Sequence, residues 1–295
     1  MTTREELTRS MWTLFEPIHA LNYFSPEARQ AFADAGLPRF WDGYFAGRAA
    51  PLGAVTAAPV IAMFSGFAPR FVERALPAVW GAVSPGEALE ARMVGAEGAL
   101  RRILRPAGTT DAEVERAADA LAEVASRVTV TETIARPLAA ANAALPVPDD
   151  PYRRLWQATS TLREHRGDGH VLVLASAGIA GLSTIVLRSA VDLDAASMRA
   201  ARGWSDEQWA QERARLAETG LLRADHTVSP WGLAALARAE EATNRLALGP
   251  WAAMSDDEIV GVARLLSPIA RACSVVYPRP NPIGLPLPWD PDGAE

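Results

Sequence analysis

The chain has four histidines, and two of them lie in its densest group of chemically active side chains. The segment 163–170, REHRGDGH, places His165 and His170 around Asp168 and two glycines. An imidazole oriented by a carboxylate can act as a general base or bind a metal ion. The same residues also suit a helix end, where cations favour the negative end of the dipole and an aspartate caps the next helix. Both interpretations predict a turn at 166–169.

A second group of candidates precedes this segment by more than one hundred residues. His19 lies in an apolar and aromatic stretch, and the helix predicted over 38–50 presents Tyr44 and Arg48. An aromatic and basic lining suits a planar or anionic small molecule. The alternative is an aromatic core that contains a hydrogen-bonded His19, with Arg48 in solvent. We predict that His165, Asp168 and His170 border a cavity also reached by His19, Tyr44 or Arg48.

Motifs of established cofactor chemistry are missing from the sequence. No phosphate-binding loop, dinucleotide fingerprint or nucleophile elbow occurs, and no zinc spacing is matched. We therefore predict no cofactor, no metal site and no enzymatic activity. Haem or a metal ion bound through His19, His165 and His170 remains open. The single cysteine, Cys273, is expected to be buried.

Composition narrows the class of protein. The 295 residues carry a net charge of −6, whereas binding to nucleic acid requires clustered cations that neutralise phosphates. The first ten residues are polar, and the longest apolar runs are too short to span a bilayer. These features predict a cytoplasmic protein that does not associate with membranes.

Several sequence features recur at a nearly fixed offset. Ser84-Pro85 and Ser229-Pro230 are 229 − 84 = 145 positions apart, and Asp111 and Asp256 are also 145 apart. Such an offset indicates two copies of one domain. We expect a first copy with its C-terminal helix at 1–144, a Pro-rich linker at 145–151, a second copy at 152–277 and a Pro-rich tail at 278–295.

The second copy has the features of a winged helix. A capped helix from Ser205 ends in Leu216-x-x-x-Gly220-Leu221-Leu222, and a short segment then leads into the helix after Ser229-Pro230. This order resembles MarR-type proteins. Segments 40–53 and 162–170 also resemble the actinobacterial SalK group. The resemblance implies a mainly α fold of two tandem, degenerate winged-helix domains related by a pseudo-twofold axis, which makes the monomer a pseudo-dimer.

MarR-type proteins place one recognition helix in the major groove of DNA. The first two turns of the corresponding helix carry three carboxylates, those of Asp206, Glu207 and Glu212. The phosphates of DNA would repel these groups. We therefore predict that DNA binding is lost and that a small molecule binds between the copies. A DNA-binding transcriptional regulator is one alternative. A haem or metal protein, or an enzyme that uses His165, Asp168 and His170, is the other.

Overall fold

The computed structural model describes residues 3–278, 284–285 and 287–293, and this part of the chain is helical and contains no β-strand. A mainly α fold is therefore confirmed. One antiparallel bridge joins Leu222 to Val228, within the short segment that precedes the helix after Ser229-Pro230. The helices are α1 Arg4–His19, α2 Leu21–Phe24, α3 Pro26–Asp34, α4 Phe40–Ala49, α5 Ala57–Met63, α6 Pro69–Glu73, α7 Pro85–Leu104, α8 Asp111–Ser126, α9 Pro137–Ala143, α10 Pro151–Ser176, α11 Leu182–Ser189, α12 Ala195–Arg202, α13 Asp206–Glu218, α14 Pro230–Leu246 and α15 Asp256–Ser274.

Helices α7 and α14 begin at the repeated Ser-Pro pairs. The Ser84 hydroxyl accepts a hydrogen bond from the Glu87 amide at 3.2 Å, and the Ser229 hydroxyl accepts one from the Gly232 amide at 3.0 Å. The following proline occupies the first helical position, where the missing N–H is not needed. Both predicted helix starts are therefore confirmed.

The main core is built from helices of both halves of the chain. Helix α1 packs against α15, while α10 packs against α8, and α1 and α10 also contact each other. Met11, Leu121, Trp156 and Leu266 are buried in one cluster. The halves therefore share a core, in which α1 of the first half packs on α15 of the second and α10 of the second half packs on α8 of the first.

A smaller core lies under α11, α12 and α13. Its buried side chains include Leu187, Met198, Trp209 and Leu216. The bridged segment 222–228 follows α13, and His226 within it is exposed, with a positive φ of 64°. This cluster is distinct from the main core, and α10 contributes to both, since Leu174 is buried in the smaller cluster.

The turn predicted at 166–169 is wrong, because α10 continues without a break from Pro151 to Ser176. Gly169 lies close to the Leu246 side chain, at 3.5 Å from the position its own Cβ would take. Tertiary packing here outweighs the low helix propensity of glycine, which amounts to about 1 kcal/mol per residue. The supposed capping residue, Asp168, accepts a hydrogen bond from the Ala139 amide of another helix.

The predicted tail at 278–295 is described only in part, since residues 279–283, 286 and 294–295 lie outside the described residues. Within the described part, the Trp289 amide donates to the Thr13 hydroxyl at 2.9 Å. The Ser267 hydroxyl donates to the Trp289 carbonyl at 3.1 Å. These bonds attach the tail to α1 and α15.

No single helix in the described ranges has both the length and the apolar composition needed to cross a membrane. The pair Phe40–Leu52 and Ala57–Met63 meets that requirement only when its two members are taken together, and it is bent by 93°.

Candidate functional site

A cavity of about 300 Å³ lies between the two halves of the chain. Helices α4 and α10 to α12 surround it, together with the segment 63–67. Its ring-bearing side chains include Tyr44, Phe64 and Phe67. Its charged lining residues are Glu16, Arg48, Arg163, Glu164, Asp168, Arg188 and Arg202. Aromatic and charged groups thus meet in one cavity.

A buried ion pair joins α4 to α10 at this cavity. Arg48 Nη2 lies 3.0 Å from each carboxylate oxygen of Glu164, and the side chains are 10% and 5% exposed. Arg163 Nη1 donates to the same carboxylate at 2.8 Å. Burial opposes ionisation, but the guanidinium groups of Arg163 and Arg48 prevail and lower the pKa of Glu164 to about 2. Glu164 therefore stays ionised and bridges two cations.

Positive charge surrounds the hydroxyl of Tyr44. Arg48 Nη1 donates to this hydroxyl at 3.2 Å. The Arg48 guanidinium also lies 3.9 Å from the centre of the Phe64 ring, and that of Arg202 lies 4.5 Å from the centre of the Phe67 ring. Burial alone would raise the pKa of Tyr44, yet the guanidinium groups of Arg48 and Arg202 bring it below its ordinary value. The electrostatic potential at this point of the cavity is therefore positive.

Two groups with shifted pKa values complete the polar lining. Burial, together with the nearby charge of Glu164, raises the pKa of Asp168 to about 6. His170 Nδ1 is hydrogen-bonded to the Thr243 hydroxyl at 2.9 Å, and burial lowers the pKa of this imidazole to about 4. His170 is therefore neutral at pH 7, and Asp168 titrates within the range of laboratory buffers.

The raised pKa of Asp168 predicts how stability depends on pH. Between the ordinary value of 3.8 and about 6, the folded state holds a proton that the unfolded state releases, so stability falls as pH rises. Asp168→Asn removes this loss and should gain stability relative to the wild type between pH 4 and pH 7, by up to roughly 3 kcal/mol. Urea unfolding at several pH values measures the difference.

Asp225→Asn is the matched control for this experiment. Asp225 is exposed, and hydrogen bonds from the Thr227 side chain and amide lower its pKa. Its contribution to stability is lost as pH falls, which is opposite in sign to that of Asp168. A pH profile of Asp168→Asn parallel to the wild type would contradict the raised pKa of Asp168.

The turn between α12 and α13 is attached to the same segment that lines the cavity. The Ala68 amide donates to the Arg202 carbonyl at 2.9 Å, and Trp204 Nε1 donates to the Gly66 carbonyl at 2.9 Å. Gly203 has a φ of +74°, and a Cβ at this position would lie 2.5 Å from the Phe71 ring. The segment 66–68 is thus hydrogen-bonded directly to the turn between α12 and α13.

A helix-turn-helix family model matches residues 8–276, which is most of the chain. The chain belongs to this helix-turn-helix family. No curated protein and no solved structure matched in the same comparisons. In this helix-turn-helix protein, the three-residue turn at 203–205 joins α12 to α13. Two helices joined by such a short turn fit the helix-turn-helix motif.

Four of the six predicted site residues line the cavity of the helix-turn-helix protein: Tyr44, Arg48, Asp168 and His170. His165 does not line it, and its ring is instead close to Arg136 and lies 3.2 Å from Glu132. Successive helical residues are about 100° apart, so an unbroken α10 carries His165 onto another face than Glu164. Burial and Arg136 lower the pKa of His165 to about 3.

His19 also lies outside the cavity lining. Its Nδ1 is hydrogen-bonded to the Ser160 hydroxyl at 3.0 Å and its Nε2 to the Tyr23 hydroxyl at 2.7 Å. Burial and the charge of Arg163 lower the pKa of His19 well below its ordinary value. His19, His165 and His170 thus each have different partners. Within the described ranges, no three side chains of the metal-binding types converge on a common point.

Sequence reasoning did not single out several groups of this site. Arg163 and Glu164 belong to the segment that drew attention, and Glu164 lies four positions before Asp168, on the same helical face. If α10 had been predicted as one continuous helix, this spacing would have placed Glu164 beside Asp168 in the candidate site. Arg202 and Phe67 carried no such signal, because they come from distant segments that only the fold brings together.

Proposed function

We propose that this helix-turn-helix protein is a MarR-like, tandemly duplicated chain of the SalK type, which binds a planar, anionic small molecule in the cavity between its copies. In this proposal, direct contact with DNA has been lost. The observation that supports it most strongly is the combination of aromatic rings and guanidinium groups in the lining of one cavity. Such a site fixes a flat ring by stacking and an acidic group by charge-assisted hydrogen bonds.

The duplication is supported by two independent features. The capped helix starts at Ser84 and Ser229 recur at the offset seen in the sequence, as do those after Thr110 and Ser255. The exchange of partners, in which α1 packs on α15 and α10 on α8, is what a twofold relation between two copies would produce. A single chain would then contain, between its two copies, the interface that a dimeric relative forms between two subunits.

The preference for an anion follows from the charges of the lining. Four guanidinium groups face three carboxyl groups, and one of these, Asp168, is protonated below a pH of about 6. The lowered pKa of Tyr44 shows that a negative charge is stabilised where the rings of Tyr44 and Phe67 converge. An aromatic carboxylate satisfies both requirements.

We expect 2-naphthoate to bind and its neutral analogue 2-naphthamide to bind much less tightly. Arg202→Gln should weaken 2-naphthoate binding by roughly tenfold or more, since a hydrogen bond to a charged group is worth about 1.5–3 kcal/mol. Isothermal titration calorimetry measures the affinities. Arg199→Gln, on the same helix but paired with Asp206 at 2.8 Å outside the cavity lining, is the matched control. Equal affinities for acid and amide would refute the proposal.

The loss of DNA contact is supported by the charges of the helix-turn-helix unit. Residues 182–229 contain six arginines and seven acidic residues, which gives 6 − 7 = −1. Asp206 and Glu207 are exposed at the start of α13. Glu212 is engaged with Arg215 at 2.6 Å and with the Ser183 hydroxyl at 2.5 Å. The surface that would meet phosphates is therefore acidic or already paired.

We expect nonspecific duplex DNA to bind more weakly than ~10⁻⁴ M at physiological salt, the loose end of the usual range. Fluorescence anisotropy of a labelled duplex measures this affinity. The second candidate function, a DNA-binding regulator, is favoured by the family itself. Salt-dependent binding at micromolar protein would establish that candidate and overturn the loss of DNA contact.

A further inference from the structure

A second cleft, of about 280 Å³, lies away from the cavity between the halves, where α7, the segment 145–148 and α10 meet. Leu89, Met93 and Pro146 are among its apolar lining residues. Arg92 and Gln157 are the only fully buried residues of its lining, at 3% and 5% exposure, and so form its floor. The cleft thus combines an apolar wall with a buried cation.

Arg92 is a buried guanidinium without a counter-ion. Its Nη1 donates to the Gly47 carbonyl at 3.2 Å, and its Nη2 donates to the side-chain oxygens of Asn142 at 3.1 Å and Gln157 at 3.4 Å. All of these acceptors are uncharged. Among the residues that the structure describes, Arg92 forms no ion pair, and its buried Nε has no hydrogen-bond partner. A buried charge of this kind is costly unless an opposite charge accompanies it.

Neighbouring groups do not supply the missing charge. Burial lowers the pKa of Arg92 to about 10, which leaves it ionised at pH 7. The Trp156 ring, 5.2 Å from the guanidinium, provides only a cation–π contact. Glu90 lines the cleft, but its carboxylate is paired with Arg153 at 2.9 Å. Arg153, which also lines the cleft, is paired with Glu97 at 2.6 Å as well, so its guanidinium already has two carboxylate partners.

We propose that this cleft binds a small aliphatic carboxylate, whose acid group pairs with Arg92 and whose chain lies against Leu89 and Met93. A carboxylate offers an oxygen acceptor to Nε, which has no partner, and another to Nη2, whose bond to Gln157 is long at 3.4 Å. The apolar chain replaces water along the cleft wall. The site is independent of the cavity between the halves.

Gln157→Glu tests the proposal within the folded protein. The substitution is nearly isosteric and places a carboxylate where the Gln157 amide oxygen lies 3.4 Å from Arg92. An internal counter-ion should then replace the ligand. We expect hexanoate to bind the wild type and to bind Gln157→Glu at least tenfold more weakly, whereas Gln30→Glu, the same change at an exposed position, leaves the affinity unchanged. Isothermal titration calorimetry with hexanoate and with neutral hexanamide gives the affinities.

A second variant blocks the wall without altering the charge. Met93→Trp fills the apolar part of the cleft and should also abolish hexanoate binding, and circular dichroism establishes that both variants are folded. Hexanoate affinity that is unchanged in Gln157→Glu, equal affinity for hexanamide, or no binding at 10 mM would each overturn the proposal. The binding of 2-naphthoate between the halves is a separate measurement, so either proposal can fail alone.

Discussion

Glu164→Gln should destabilise the protein by roughly 3–5 kcal/mol, the usual loss when one partner of a buried ion pair is removed. The substitution leaves the buried Arg48 and the partly exposed Arg163 without the carboxylate that they share. Urea unfolding followed by circular dichroism measures the change in the free energy of unfolding. Glu123→Gln removes an exposed partner of Arg127 and should cost less than about 1 kcal/mol.

The loss caused by Glu164→Gln should also depend on pH. The folded-state pKa of Glu164, about 2, lies below its ordinary value of 4.5. The stabilisation is therefore fully present above pH 4.5 and disappears as pH falls from there towards 2. The wild type and the variant should converge in stability over that interval. A difference that stays constant down to pH 3, or that is under 1 kcal/mol at pH 7, would show that the ion pair does not hold α4 against α10.

Gly203→Ala should cost more than about 2 kcal/mol, because two penalties add. A left-handed backbone conformation costs a residue with a Cβ roughly 1–2 kcal/mol, and Gly203 has a φ of +74°. The new methyl group would also lie 2.5 Å from the Phe71 ring, and overpacking adds about 1–3 kcal/mol. Thermal and urea unfolding both report the loss.

Gly220→Ala separates these two penalties. Gly220 has nearly the same backbone angle, a φ of +75°, but no atom lies within 4 Å of its would-be Cβ. Its substitution should therefore show the conformational penalty alone. Phe71→Ala removes the ring but keeps the Phe71 Cβ, which lies 2.6 Å from the would-be Cβ at position 203, so it should relieve only part of the additional loss there. Equal losses for the two glycines in the wild-type background would mean that the Phe71 contact does not restrain the turn.

Local signals predicted the helix starts but not the continuity of α10. Ser84 and Ser229 were recognised because a cap and its proline act within a few residues of one another. The turn at 166–169 was predicted from two glycines, whose weak local preference is overridden by packing against Leu246. Such packing depends on residues about eighty positions away and leaves no trace in the segment itself.

Residue type predicted some members of the candidate site but not all of them. Tyr44, Arg48, Asp168 and His170 were selected by residue type, and the fold brings them to one cavity. His165 was misplaced because its direction depends on whether the chain turns or continues as a helix. Arg202 was missed altogether, since its position beside Phe67 depends on how α12 is held against the first half of the chain.

The packing of α1 against α15 has a consequence for how the chain reaches its native state. Arg4 Nη2 donates to the Met254 carbonyl at 2.7 Å, across 250 positions of sequence. At a synthesis rate of about 5–20 residues per second, α1 waits roughly 10–50 s on the ribosome before its partner emerges. During that time the apolar face around Met11 and Leu14 has no native cover from α15. Pairing over such a distance slows folding, and an apolar face that is exposed while synthesis continues is prone to aggregation.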